Sequence, residues 1–272
     1  MKLGVHPINI NPTLSAADGL ALARRAEELG YASWWAADHV VLPSPKPPQV
    51  NYEPTMPVLD PLVHLASVAA VTERIELGTG VLILPQRDPL VLAKQAASLD
   101  VISGGRLRLG VGVGWLEPEL AAFGVKMSER GARTDEYIDA MRALWSTETP
   151  SYEGNFVSVA GVDAYPKPLS GPPVIVGGNS PGAFRRAVSR AHGWFGNGNT
   201  IDDLREHLAG LRQAADQVER PQWLGPLDII YMPFERTLDV SAYDGLVDQF
   251  LVHTMGLDGV DAVDKVLTET IR

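Results

Sequence analysis

Eight short apolar runs, separated by longer stretches of helical character, recur along this chain, and that alternation constrains its fold more tightly than any other feature. The runs are Leu3 to His6, Ser33 to Ala37, Glu76 to Leu82, Leu107 to Val111, Val174 to Val176, Trp194 to Gly196, Asp228 to Met232 and Gln249 to His253. Several consist of Val, Ile and Leu with little polar interruption, as strands covered on both faces do. Strand and helix alternating in this way build βα units around a parallel sheet, and eight units predict an α/β fold of the (β/α)8 TIM-barrel type. A chain of 272 residues is within the usual size of one such barrel, so residues 1–272 are expected to form a single domain.

Helix punctuation falls where this scheme needs it. Ser15 followed three positions later by Asp18 has the form of a capping box, and Leu20, Ala23, Ala26 and Leu29 repeat at helical spacing before Gly30 ends the helix. Asp88-Pro89 can start a second helix that runs to about Ile102, with Gly104-Gly105 as its stop. Two segments break the rhythm: the proline-rich Leu42 to Pro57, and Pro150 to Pro173, within which Tyr152-Glu153-Gly154-Asn155-Phe156 reads as a hairpin. Long loops in a compact domain are usually functional or disordered.

Charge and composition narrow the function classes. The excess of 33 acidic over 23 basic residues, a formal charge of -10, disfavours electrostatic capture of nucleic acid or of an anionic membrane. Cysteine is absent, which excludes disulfides, thiolate catalysis and cysteine-ligated metals. No signal peptide is visible and no apolar run approaches about 18 residues, so the expectation is a cytoplasmic protein acting on a small molecule.

Active sites of such barrels lie at the carboxyl ends of the strands. His6 closes the first strand, Asp38-His39 the second, Thr79-Gly80-Val81 the third, and Gly110-Val111-Gly112-Val113-Gly114 the fourth. That glycine run lacks a third glycine at dinucleotide spacing and sits in mid-barrel, a poor Rossmann signal. The six histidines are scattered without an H-x-H pair, which argues against a metal-dependent hydrolase, and no metal site is expected. After the fifth strand, Gly177-Gly178-Asn179-Ser180-Pro181 opens a helix whose amides and positive end suit a phosphate, or which is simply capped there. Arg185 and Arg186 lie on the same helix, placed either to add positive charge near a polyanionic tail or to face solvent.

At these residues the chain resembles the luciferase-like monooxygenase superfamily, and within it the branch that uses the deazaflavin F420. The most specific stretch is "QAASLDVISGGRLRLGVGVGW" from Gln95 to Trp115. It is joined by "ERIELGTGV" at Glu73 to Val81, "WWAADHV" at Trp34 to Val40 and "PPVIVGGNSPGAFRRA" at Pro172 to Ala187. Each is weak alone; their order and spacing together are specific, and the resemblance covers nearly the whole chain.

The resemblance implies a non-proline cis peptide at Gly80-Val81, beside Thr79, forming a bulge behind a tricyclic ring, with an ordinary strand end and turn glycine as the alternative. It places the backbone of Gly112, Val113 and Gly114 at the pyrimidine side of that ring, although close packing would equally explain those glycines. It assigns Asp38 to a polar contact with the ring and His39 to proton donation or acceptance, a task suited to a group that titrates near neutrality. His6, Trp35, Trp115 and Asn197 would line the substrate pocket, with a packed, hydrogen-bonded His6 as the alternative. In the sugar-phosphate-oxidising branch a glutamate follows the glycine run, where this chain has Trp115; that departure argues against glucose-6-phosphate oxidation. Trp34, Trp35 and Trp115 favour an apolar carbonyl, alcohol or conjugated alkene substrate.

An FMN-dependent monooxygenase using oxygen is the nearest enzymatic alternative, and a non-catalytic flavin- or F420-binding protein needs the same glycines. Relatives of this kind commonly pair as homodimers through helices near the second and third βα units. An apolar face at Leu62, Leu65, Ala66, Ala69 and Ala70 would either supply that surface or pack on the barrel.

Overall fold

The computed structural model describes residues 1–11, 14–146, 149–169, 171–236 and 239–271. The first half contains β1 (Lys2–His6), α1 (Ala16–Leu29), β2 (Ser33–Ala36), α2 (Pro61–Ala69), β3 (Glu76–Thr79), β4 (Leu82–Ile83), α3 (Pro89–Ser103), β5 (Leu107–Gly112), α4 (Glu117–Ala122) and α5 (Arg130–Trp145). The second half adds the short hairpin β6 (Tyr152–Glu153) and β7 (Ser158–Val159), then β8 (Val174–Gly177), α6 (Pro181–Arg190), β9 (Gly193–Gly198), α7 (Ile201–Ala215), β10 (Asp228–Pro233), β11 (Gln249–His253) and α8 (Gly259–Thr270). Strands run parallel in the order β3-β2-β1-β11-β10-β9-β8-β5, and β3 pairs with β5 to close the ring. This is an eight-stranded (β/α)8 barrel.

All eight apolar runs become barrel strands, and one differs from its expected form. The run Glu76 to Leu82 is two strands: β3 stops at Thr79, the Gly80–Val81 peptide is cis, and β4 resumes at Leu82, paired with Val111 of β5. The helix signals behave as read. Ser15 and Asp18 form a reciprocal capping box on α1, and Gly30 ends that helix in the left-handed region at φ 93°. Asp88 caps α3 through Leu90 N–H and Val91 N–H, and Gly104 closes it at φ 71°.

Packing is layered. Between barrel and helices lies a continuous apolar shell that includes Leu22, Leu65, Leu92, Ile138, Leu204 and Leu267. Inside the barrel a smaller cluster of Trp35, Ile175, Phe195, Ile230, Met232 and Leu251 fills the interior, as barrels of this size require. The strand pleat sends the two tryptophans of β2 to opposite sides. Trp34 faces the helices and donates its indole N–H to His64 Nε2 at 3.0 Å, whereas Trp35 faces inward and donates to Ser33 Oγ at 2.7 Å. The α2 face formed by Leu62, Leu65 and Ala69 packs on the barrel, so it is not a free surface; Val63, on the opposite side, is the exposed one at 69%. Among the described residues no helix is long and apolar enough to cross a membrane.

Candidate active site

The carboxyl ends of the strands open into a cavity of about 350 Å3, the place this architecture reserves for chemistry. Its floor is the top of the inner cluster, Phe195 and Met232, together with the Gly80–Val81 bulge. Val81 is held there by two glycines. A side chain on Gly112 would begin 2.7 Å from Val81 Cγ2, and one on Gly177 would begin 2.8 Å from Val81 Cγ1. Both positions leave room for the bulge itself, so close packing accounts for these glycines, while Gly112, Val113, Gly114, Gly177 and Gly178 still present main chain to the cavity.

His6 braces the bulge from below. Its Nε2 lies 2.7 Å from the Gly80 carbonyl oxygen, and an oxygen of that kind only accepts, so Nε2 carries the hydrogen. Burial drives the imidazole down to about 3, against the pull of that hydrogen bond and with His253 nearby. His6 therefore borders the cavity as a neutral, committed donor. Thr79 is fully buried and donates its hydroxyl to Gly110 O at 2.7 Å, which ties β3 to β5 beneath the floor rather than lining the cavity. Trp35 lies still deeper and is 0% exposed, so it supports the pocket without forming its wall.

Asp38 and His39 both border the cavity, yet they do not pair with each other. The Asp38 carboxylate meets Arg87 Nη2 at 2.7 Å and accepts the Ile83 N–H at 2.9 Å. Burial lifts this carboxyl above its usual range, an effect that Arg87 and the Ile83 amide oppose. It is thereby built into the segment that follows the bulge. The carboxylate that serves His39 is Glu119, on α4. Its Oε2 lies 2.7 Å from His39 Nδ1, and its Oε1 accepts from Val40 N–H at 2.9 Å and Gln86 Nε2 at 3.1 Å. Burial opposes the charge on Glu119, but His39 and these donors hold it below the ordinary carboxylate range. At the other ring nitrogen, the Tyr52 hydroxyl stands 2.9 Å from His39 Nε2.

The remaining expected residues divide. Trp115 stands at the mouth, 52% exposed, with its ring edge-on to His39 at 6.5 Å between centroids. Asn197 borders the cavity and accepts from Asn179 Nδ2, at 2.8 Å through its carbonyl and 3.1 Å through its side chain. Asn179 and Ser180 lie outside the cavity wall at the start of α6, where Ser180 Oγ accepts the Ala183 N–H and caps the helix. Arg186 is buried against Asp135 and the Gly131 carbonyl, away from the α6 amino end.

Four residues of the site lay outside the sequence reading: Glu119, Tyr52, Arg87 and Gln86. Nothing local marks Glu119, because acidic residues in a first helical turn are ordinary partners of the helix dipole. Tyr52 lies in the proline-rich 42–57 loop, whose length was the sole signal. Arg87 immediately precedes the Asp88 cap of α3 and reads as part of that turn.

Comparison with known proteins places this geometry. An uncharacterized protein of Mycobacterium tuberculosis is 37% identical over 194 residues, 67% of this chain and 68% of that one. The FMNH2-dependent dimethylsulfone monooxygenase of Pseudomonas putida is 32% identical over 154 residues, 55% of this chain and 42% of its own length. Among solved structures, the monooxygenase RslO1 from Streptomyces bottropensis superposes with a TM-score of 0.69 at 30% identity, over 85% of this chain and 70% of that one. An F420-dependent secondary alcohol dehydrogenase shares the fold with a TM-score of 0.70 at 19% identity, over 85% of this chain and 68% of that one. The sequence profile of the luciferase-like monooxygenases matches residues 3–233, and this chain belongs to that family.

Proposed function

We propose that this protein is an F420-dependent oxidoreductase that moves a hydride between the deazaflavin and an uncharged carbonyl, alcohol or activated alkene. One observation carries the reading: a single cavity holds both an apolar bulge flanked by bare main chain and a histidine backed by a buried carboxylate. The residues present fit such a cofactor. Val81 offers an apolar platform for a flat ring, the backbone of Gly112 to Gly114 offers polar groups to its edge, and Gly178 leads to the positive end of α6, suited to a phosphate. When bound, the deazaflavin supplies or accepts the hydride. His39 is the source or sink of the accompanying proton.

The walls choose the substrate class. Trp115, Met56, Phe234, Met255 and Ile10 are apolar, and the Asp38 carboxylate on the wall is already paired with Arg87. An anionic substrate would find no uncommitted cation among these residues, so a neutral, ring-sized apolar molecule is favoured. A second reading, an FMN monooxygenase that consumes oxygen, draws support from the identities with the dimethylsulfone monooxygenase and RslO1. We also propose a homodimer, through Val63 of α2 and Val91 and Ile102 of the neighbouring α3, which are 69%, 56% and 64% exposed.

Separate fluorescence titrations with F420 and FMN test the assignment. F420 binding at least about tenfold tighter, ~1.4 kcal/mol, supports it. A preference for FMN with oxygen uptake moves the protein to the second reading, and binding of neither overturns both. Sedimentation of wild type against Ile102→Asp, expected as dimer and monomer, tests the pairing.

A further inference from the structure

His39 is hydrogen-bonded at both ring nitrogens, and the chemistry of each partner fixes the direction in which protons can run. Glu119 is 1% exposed at its side chain, and its other oxygen is occupied by Val40 N–H and Gln86. A carboxylate in this setting is an acceptor, so the hydrogen on His39 Nδ1 points at it in either charge state of the ring. The neutral ring then presents a lone pair at Nε2, and the Tyr52 hydroxyl, 2.9 Å away, is the donor to it. Burial and the Glu119 charge push that phenol up to about 12, so it keeps its proton at neutral pH. Tyr52 borders the cavity and packs on His39 with ring centroids 5.4 Å apart. A substrate can reach Nε2 directly only by displacing the hydroxyl already there.

We propose that Tyr52 is the group that exchanges a proton with the substrate, that His39 stores the proton, and that Glu119 is a positioning residue fixing the imidazole tautomer. This rests on the hydride-transfer reading above. In alcohol oxidation the substrate O–H bond breaks and its proton bonds to the Tyr52 oxygen. The Tyr52 O–H bond breaks in concert, and that proton bonds to His39 Nε2. The electron pair of the substrate C–H bond would leave with its hydrogen as a hydride, for which a bound deazaflavin would be the two-electron acceptor, as the alcohol becomes a carbonyl. Carbonyl reduction runs the same bonds in reverse. The positive charge gained by His39 is met by Glu119 at 2.7 Å. A tyrosine serving merely as a strut for the 42–57 loop would pack in the same way, and substitution of its hydroxyl alone separates the two roles.

The test uses the full chain with 15N-labelled histidine, the His39 signal being assigned by its loss in His39→Gln. Nuclear magnetic resonance is expected to show that the neutral form of His39 carries its hydrogen on Nδ1. Tyr52→Phe removes the donor to the lone pair and is expected to shift the Nε2 resonance while the hydrogen stays on Nδ1, whereas Glu119→Gln is expected to let the two tautomers mix. Hydrogen on Nε2 in the neutral ring, or resonances unmoved in both variants, overturns the proposal. With reduced F420 and 2-cyclohexen-1-one as probe acceptor, Tyr52→Phe is expected to lower kcat roughly a hundredfold while KM and cofactor affinity hold. Unchanged kcat removes Tyr52 from the relay. Failure of the wild type to bind F420 or FMN counts against the redox reading itself, and leaves the hydrogen-bond pattern to be judged by the resonance data.

Discussion

Neighbouring residues at a strand end need not share a task. Asp38 and His39 follow each other in sequence, yet their side chains diverge, one to Arg87 and the other to Glu119, eighty positions along the chain. Gly112 and Gly177 sit on either side of Val81, and a methyl group at either would press on the same side chain. Gly112→Ala and Gly177→Ala are each expected to cost about 1–3 kcal/mol of stability, as overpacking does. Val81→Ala made in either background should recover much of that loss. Urea denaturation of the single and double variants measures the coupling, and additive losses would show that Val81 is not the side chain being squeezed.

At the scale of elements, one side chain closes several chain ends at once. Arg106, in the turn between α3 and β5, donates to the carbonyls of Ser103, Ala69, Thr72 and Ile75 and to the Thr72 hydroxyl. It thus satisfies the open end of α2 and the turn into β3, where helix carbonyls would otherwise lack partners. Lysine cannot reproduce that planar fork of donors. Arg106→Lys is expected to cost about 2 kcal/mol or more, read as a fall in the denaturation midpoint without loss of cofactor binding. A stability unchanged by the substitution would mean that solvent satisfies those carbonyls equally well. The split of the third strand belongs to the same scale: β3 stops at Thr79, β4 resumes at Leu82, and Val81 between them packs on the interior cluster.

For the whole molecule, buried neutral histidines set a lower limit of pH. Burial holds His6 at about 3 and His64 at about 4, both below the ordinary 6.5. Above that ordinary value both are neutral folded or unfolded, and stability is at its full level. As pH falls below it, the unfolded chain takes up protons that the folded one refuses, so stability declines by about 1.4 kcal/mol per pH unit for each group. Thermal or urea unfolding between pH 7 and 4.5 is expected to show this slope. His64→Gln, whose amide oxygen can still accept from Trp34, should make it shallower; an identical slope would show that folding does not alter proton uptake at His64.

Strand and helix identity was legible in the sequence because each depends on local periodicity, capping and punctuation: Ser15 with Asp18, Asp88-Pro89 and Gly104 define their helices within a few residues. The strand-end rule then brought His6, His39, the bulge and the glycine run to one mouth, since a barrel collects all its strand ends there. What the tertiary structure decided is which distant groups meet. Glu119 reaches His39 across eighty residues, Tyr52 comes in from a proline-rich loop, and Trp35 points inward although its neighbour Trp34 points out. Such pairings depend on barrel closure and on the pleat, not on neighbours in the chain. Local sequence therefore determined the elements and the rim of the site, and only their packing chose the partner of each charge.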